Sequence, residues 1–184
     1  MKIVFYRTLL TRARNLTSIE RIMYSFLISK SITYLDEVFD QHGSCINMDK
    51  LHDYIYENNY IDLYPISLRK ISKELNIALQ TVVNGLQKLR NNRYIKDNRI
   101  YVNEELLENG YFELYVNKKI KGELLIFYSY IKQKSFKYKG CIDTYKRKLA
   151  QDLGTTKTAI TKLLNRLYKS GLAKRLENGK LLIN

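Results

Sequence analysis

LAQDLGTTKTAITKLLNRLYKSGLAKRLENGKLLI, residues 149–183, is the stretch on which the fold turns. Within it Ile160, Leu163, Leu164 and Leu167 recur at i, i+3, i+4 and i+7, the spacing that puts one buried stripe on an α-helix. Gly154 precedes that helix, where a tight turn needs positive φ. Thr155 or Thr156 can cap it by accepting a backbone N–H. Upstream, Asp143 or Thr144 can cap an earlier helix running to about Leu153. Gly171 marks the carboxyl end of the long helix. LAKRLENGKLLI then reads as two strands joined by Asn178-Gly179, a two-residue hairpin signal. The stretch is thus two helices across a tight turn, closed by a β-hairpin.

The pattern occurs twice. ISKELNIALQTVVNGLQKLRNNRYIKDNRIYV, residues 71–102, aligns with it without a gap at an offset of 78 positions. Ile71, Leu75, Val82, Leu86 and Leu89 fall on Leu149, Leu153, Ile160, Leu164 and Leu167, and Arg69-Lys70 falls on Arg147-Lys148. Further upstream, RIMYSFLISKSITY (Arg21 to Tyr34) matches LIFYSYIKQKSFKY (Leu125 to Tyr138) at an offset of 104, which predicts a first helix in each copy. The two offsets differ by 26, so the first copy carries an insertion at about 35–61. An internal repeat of this kind fixes the architecture more firmly than a single motif. The expected fold is mainly α with small β-wings, in two tandem units at 1–103 and 111–184. NEELLENG, from Asn103 to Gly110, is the expected boundary. The apolar runs KIVFY and YFELYV are expected strands that close the hairpin sheets.

Charge is strong and uneven. The 184 residues carry a net charge of +14, which favours polyanionic partners through steering and counterion release. From Lys137 onward twelve Lys and Arg face only Asp143, Asp152 and Glu177, so most of the excess lies in the second unit. The insertion is acidic: Asp36, Glu37, Asp40, Asp49, Asp53 and Glu57 oppose Lys50 alone. It is expected to point away from phosphates, packing on its own unit or meeting a protein partner, with a short amphipathic helix from Met48 to Tyr56. A hydrophobic content of 45% excludes a disordered tail. No apolar run reaches the roughly 20 residues that span a bilayer, and the amino terminus lacks a signal-peptide core. The expected location is cytoplasmic. Cys45 and Cys141 lie in different units and do not suggest a disulfide framework.

Opposite the apolar stripe of the second long helix stand Lys157, Thr158, Thr161, Lys162, Asn165 and Arg166. These are phosphate-binding cations and short polar groups able to reach base edges. Lys174, Arg175 and Lys180 put further charge on the hairpin. The second unit resembles the bacterial winged helix-turn-helix family. The resemblance rests on Leu149-Ala150, Leu153-Gly154-Thr155-Thr156, Ile160, Leu164, Leu167 and Gly171-Leu172. It implies a recognition helix in the major groove and a wing on adjacent phosphates. The first unit departs from the pattern. Ala78 replaces a capping residue, and Gly85 replaces a core leucine at a cost of about 1 kcal/mol in helix propensity. Its outer face would carry Leu79, Gln80, Val83, Asn84, Gln87 and Lys88. Gln80 and Asn84 suit adenine, and Val83 a thymine methyl. Alternatively, Leu79 and Val83 form a protein interface. Lys96 and Arg99 keep phosphate contact open for the first hairpin.

Other chemistry finds little support in the residues. His42, Cys45 and His52 lack a zinc-ligand spacing, GxxxxGK[ST] is missing, and two histidines in one insert do not suggest a catalytic triad. Neither enzymatic activity nor a metal or cofactor is expected. The expected function is sequence-specific binding of double-stranded DNA as a transcription regulator. Paired winged units also resemble plasmid replication initiators and phage replisome organisers, which makes origin binding the alternative. An adaptor that contacts only protein and a nuclease are the remaining readings.

Overall fold

The computed structural model describes the chain apart from Met1, Arg14, residues 36–46, Asn103, Glu108, Asn117, Lys118 and Thr144. About 55% of the described residues are helical, with small antiparallel sheets. Two compact units divide the chain, Ile3–Tyr111 and Phe112–Asn184, the latter joined by Lys2. The expected boundary at Asn103 to Gly110 falls inside the first unit. There Glu104–Leu106 make a 3-10 turn, Leu106 and Leu107 are buried, and Glu105 pairs with Arg12. The two leucines give this acidic stretch an apolar side, and their burial holds it to the unit.

The first unit runs β1 (Lys2–Tyr6), α1 (Thr8–Thr11), α2 (Ser18–Ile32), α3 (Met48–Asn58), β2 (Tyr60–Asp62), α4 (Leu68–Leu75), α5 (Leu79–Asn91), β3 (Ile95–Lys96) and β4 (Arg99–Tyr101). The second runs β5 (Tyr111–Tyr115), α6 (Gly122–Ser135), β6 (Cys141–Ile142), α7 (Lys146–Asp152), α8 (Lys157–Lys169), β7 (Ala173–Arg175) and β8 (Leu181–Ile183). From α2 and from α6 onward the order is the same, except that α3 is extra. The three-stranded sheets also share an order, β2-β4-β3 and β6-β8-β7. KIVFY and YFELYV are strands, but neither enters these sheets. The third strand is β2, with Ile61 opposite Ile100, or β6, with Ile142 opposite Leu181. Strands of two or three residues are too short to show a period in sequence.

α2 and α6 are buried on nearly every side, from Ile22 to Ile28 and from Leu124 to Ile131. A helix apolar all round belongs at the centre of a core. Thr17 and Glu20 start α2 with a capping box, which satisfies two otherwise orphaned N–H groups. α4 and α5 close over α2, and α7 and α8 belong to the corresponding layer of the second unit. In the insertion α3 buries Leu51 and Ile55 and leaves Asp49, Asp53 and Glu57 exposed. Asn47 caps it, accepting from the backbone N–H groups of Asp49 and Lys50. Asp36, Glu37 and Asp40 lie outside the described residues.

Three interactions recur at equivalent positions. The Tyr24 hydroxyl donates to the main-chain oxygen of Tyr101 at 2.5 Å, and Tyr128 donates to that of Asn184 at 2.7 Å. Each ties the central helix to the chain at the end of the last strand. Burial raises the Tyr24 phenol well above its ordinary pKa, with Tyr94 and Tyr6 adding to the effect. It therefore stays a donor across the physiological range. Lys30 pairs with Glu74 at 2.9 Å, and Lys134 with Asp152 at 2.5 Å. The lysines lie over the rings of Phe26 and Tyr130. The third is a turn: Asn76 (φ 52°) and Gly154 (φ 60°) are both left-handed. The next residue in each copy donates back across the turn, Ile77 to Ser72 and Thr155 to Ala150. Asparagine tolerates this conformation better than other residues with a β-carbon, so the first copy keeps the turn without glycine.

Gly85 has a packing role that its poor helix propensity conceals. A β-carbon built there would sit 2.7 Å from the Sδ of Met23, which is itself fully buried. The methionine fills the space that the missing side chain leaves between α2 and α5. Gly85→Ala should therefore destabilise the first unit by about 1 kcal/mol, because overpacking outweighs the gain in helix propensity. A lowered midpoint in thermal denaturation would show this; a raised one would refute it.

Asp152 supports a pH prediction. Burial pushes its carboxyl up, but hydrogen bonds from Lys134 and Tyr130, with the charges of Lys134 and Lys148, outweigh this and hold it below the ordinary value. A carboxyl whose pKa falls on folding stabilises the fold above its unfolded pKa and loses that contribution as pH falls through the folded pKa. Asp152→Asn should lower the melting temperature at pH 7, and the deficit should close below about pH 4. An equal deficit at pH 7 and pH 3 would contradict this assignment.

Candidate nucleic-acid interface

α8 is capped by Thr156, whose hydroxyl accepts from the Ala159 N–H at 3.1 Å. The capping role expected of Asp143 is not taken: α7 begins after Tyr145 and has no side-chain cap. Thr144, the other candidate, lies outside the described residues. The buried stripe is Ile160, Leu163, Leu164 and Leu167. It fixes the outward direction of Lys157, Thr158, Lys162, Asn165 and Arg166, which are all exposed. Thr161 is half-buried, and its hydroxyl donates to the Lys157 carbonyl at 3.0 Å. Among the described residues no carboxylate forms an ion pair with Lys157, Lys162 or Arg166.

The hairpin follows directly. Gly171 (φ 69°) ends α8, with Leu172 donating back to Leu167. Arg93 (φ 61°) takes the same conformation after α5. The β7–β8 connection differs from the expected two-residue Asn-Gly turn. Arg175 pairs with Leu181, Gly179 donates to Leu176, and Leu176 donates to Lys180. Only Gly179 of the Asn178-Gly179 pair has positive φ. This is a three-residue loop with glycine at the left-handed bulge position. The two-residue form occurs instead in the first unit, where Asp97 and Asn98 both have positive φ between the paired Lys96 and Arg99. Lys174, Arg175 and Lys180 are exposed. Burial raises the Tyr168 phenol and the Arg175 guanidinium opposes it, which puts this hairpin charge within electrostatic reach of α8.

The first unit arranges its candidates differently. Gln80 and Asn84 are exposed and bonded to each other, amide to carbonyl, at 2.9 Å. Leu79 and Val83 are 42% and 39% exposed beside them. Lys88 leans to α2 and pairs with Glu20 at 3.3 Å. Lys96 faces Asp97 at 3.7 Å, and Arg99 faces Asp62 at 3.5 Å while lying 4.0 Å over the Tyr60 ring. Exposed pairs such as those of the hairpin contribute about 0–1 kcal/mol, so a phosphate can replace the carboxylate at little cost. The two units therefore present a cationic first half of α8 and an uncharged, partly apolar first half of α5, whose cations Lys88 and Arg90 lie in its last turn.

Sequence reasoning passed over Arg147 and Lys148, which are exposed on α7. Their signal is the Lys146-Arg147-Lys148 run, which enters the charge count of the second unit and the repeat alignment but no site. Arg69 and Lys70 are exposed at the corresponding place on α4. Of the three residues weighed against a zinc spacing, His42 and Cys45 lie outside the described residues and His52 is exposed on α3. Among the described residues, no group of three His, Cys, Asp or Glu side chains is placed to hold a metal. Nor is any helix there long and apolar enough to cross a membrane. No family model matches the chain, and neither a curated protein nor a solved structure matches it.

Removing the cap should loosen the start of α8. Thr156→Ala is expected to cost about 1 kcal/mol, with faster amide exchange in the first turn of α8 than in α5. Unchanged exchange there would show that the cap does not hold the helix.

Proposed function

We propose that the chain binds double-stranded DNA with sequence preference through two tandem winged helix-turn-helix units. The observation that carries this reading is the outward face of α8. Lys157, Lys162 and Arg166 are held there without acidic partners among the described residues, beside a hairpin bearing Lys174, Arg175 and Lys180. α8 enters the major groove, Thr158 and Asn165 reach base edges, and the cations and hairpin grip phosphates. In the first unit Gln80 and Asn84 address adenine, with Lys96 and Arg99 on the backbone. The protein acts in the cytoplasm by binding rather than by catalysis, as a transcription regulator.

A second reading is replication initiation or replisome organisation on a mobile element. The exposure of Leu79 and Val83 on α5 favours it, since an apolar patch on a helix face suits a protein partner such as a helicase loader. The acidic side of α3 offers another such surface. Iterated binding sites near an origin would favour this reading, and a single operator would favour the first.

Lys162→Ala combined with Arg166→Ala should weaken duplex binding at least tenfold. It should also flatten the slope of log affinity against log salt by about 2, one for each lost phosphate contact. Fluorescence anisotropy over a salt series measures both. Unchanged affinity and slope would remove α8 from the interface.

A further inference from the structure

The most exposed aromatic side chains of the second unit are not on α8. Phe136, Tyr138 and Tyr145 are 60%, 66% and 71% exposed, and all fall in the short stretch between the end of α6 and the start of α7. Cations are interleaved with them: Lys137, Lys139, Arg147 and Lys148 are exposed, and Asp143 is the only acid from Phe136 to Lys148. Three exposed rings so close in sequence offer apolar area that a partner can bury. The covering partner must also tolerate a dense positive charge.

The first unit indicates what such a ring accepts. Tyr34 corresponds to Tyr138 at the repeat offset of 104. Another ring, Tyr64, stacks on one face of it there, 3.7 Å away and only 5° from parallel, while Tyr34 stays 58% exposed. Among the described residues, Tyr138 and Tyr145 have no ring partner. Phe136 meets Tyr115 in a T-shaped contact, at 6.2 Å and 78°, and stays 60% exposed. A planar group on an anionic chain satisfies both requirements. In a duplex the base faces are already stacked on one another, whereas an unpaired strand offers them freely to aromatic side chains.

We propose that Phe136, Tyr138 and Tyr145, with Lys137, Lys139 and Arg147, form a binding surface for single-stranded nucleic acid. This goes beyond the duplex reading, because it uses none of the α8 or hairpin residues assigned above. Bases stack on the rings and the cations follow the phosphates. A duplex reader that also holds an unpaired strand can keep DNA open next to its site.

The chain contains no tryptophan, so Tyr138→Trp introduces a single reporter at the surface. The probe is an oligothymidylate of about 12 nucleotides. Titration should quench the tryptophan. Replacing Phe136, Tyr138 and Tyr145 together with alanine should weaken oligothymidylate binding about tenfold or more, while affinity for a duplex of the same length stays within about twofold. Lys162→Ala with Arg166→Ala should do the reverse, losing duplex and keeping the single strand. Absence of quenching, or unchanged oligothymidylate affinity in the alanine variant, overturns the proposal. So does a parallel loss of duplex affinity, which would make the rings part of the duplex face. A blue shift on anionic vesicles without quenching by the oligonucleotide also overturns it, by assigning the rings to a lipid surface. Duplex binding that persists in any of these cases leaves the earlier reading standing. Failure of the wild-type chain to bind either probe removes both.

Discussion

One left-handed residue after each middle helix governs the outward geometry of this protein. At Asn76 and at Gly154 the chain reverses within a few bonds, with the following N–H bonded back across the turn. The next helix therefore starts at a fixed angle to the one before it. Its apolar stripe is then committed to the core, and its other face to solvent. Exposure of Lys162 and Arg166 follows from that commitment, because Ile160, Leu163, Leu164 and Leu167 leave the opposite side of α8 nowhere else to point. The ties from Tyr24 and Tyr128 to the ends of the last strands hold each sheet to its central helix. Helix face and hairpin are thus set by one small core in each unit.

The units use the same frame with different surfaces. In the second, positive charge stands open on α8, α7 and the hairpin. In the first, Arg69 and Lys70 stand open on α4, but Lys88, Lys96 and Arg99 each have a carboxylate nearby, and the first half of α5 shows amides and apolar groups. The frame tolerates this difference because its fixed elements are internal: a lysine–carboxylate pair at the end of the central helix, a tyrosine hydroxyl on a carbonyl, and a tight turn. None of them restricts what the outer face carries.

Much of this was legible in the sequence. The repeat gave the order of the helices, the 3.6-residue stripes gave their buried faces, and Gly154 and Gly171 gave two turns. The sheet edges were not legible, since β2 and β6 have three and two residues and compete with the longer apolar runs at Lys2–Tyr6 and Tyr111–Tyr115. Asn178-Gly179 suggested the wrong hairpin because the dipeptide fits two loop types, and the pairing of Arg175 with Leu181 selects the longer one. The partners of Lys88 and Arg99 were hidden for a different reason. Glu20 and Asp62 are far away in sequence, so only the packed structure brings those charges together.

The contact between Gly85 and Met23 also bears on whether the helices of the two units could be exchanged. The equivalent positions in the second unit hold Leu163 and Phe127, both buried. The first unit has a smaller residue at each of the two places, and its helices meet through the methionine. The two positions are coupled: a leucine at 85 needs the space that the end of Met23 occupies, so the methionine must move for it to fit. The third helices, alike in outline, are no longer interchangeable parts.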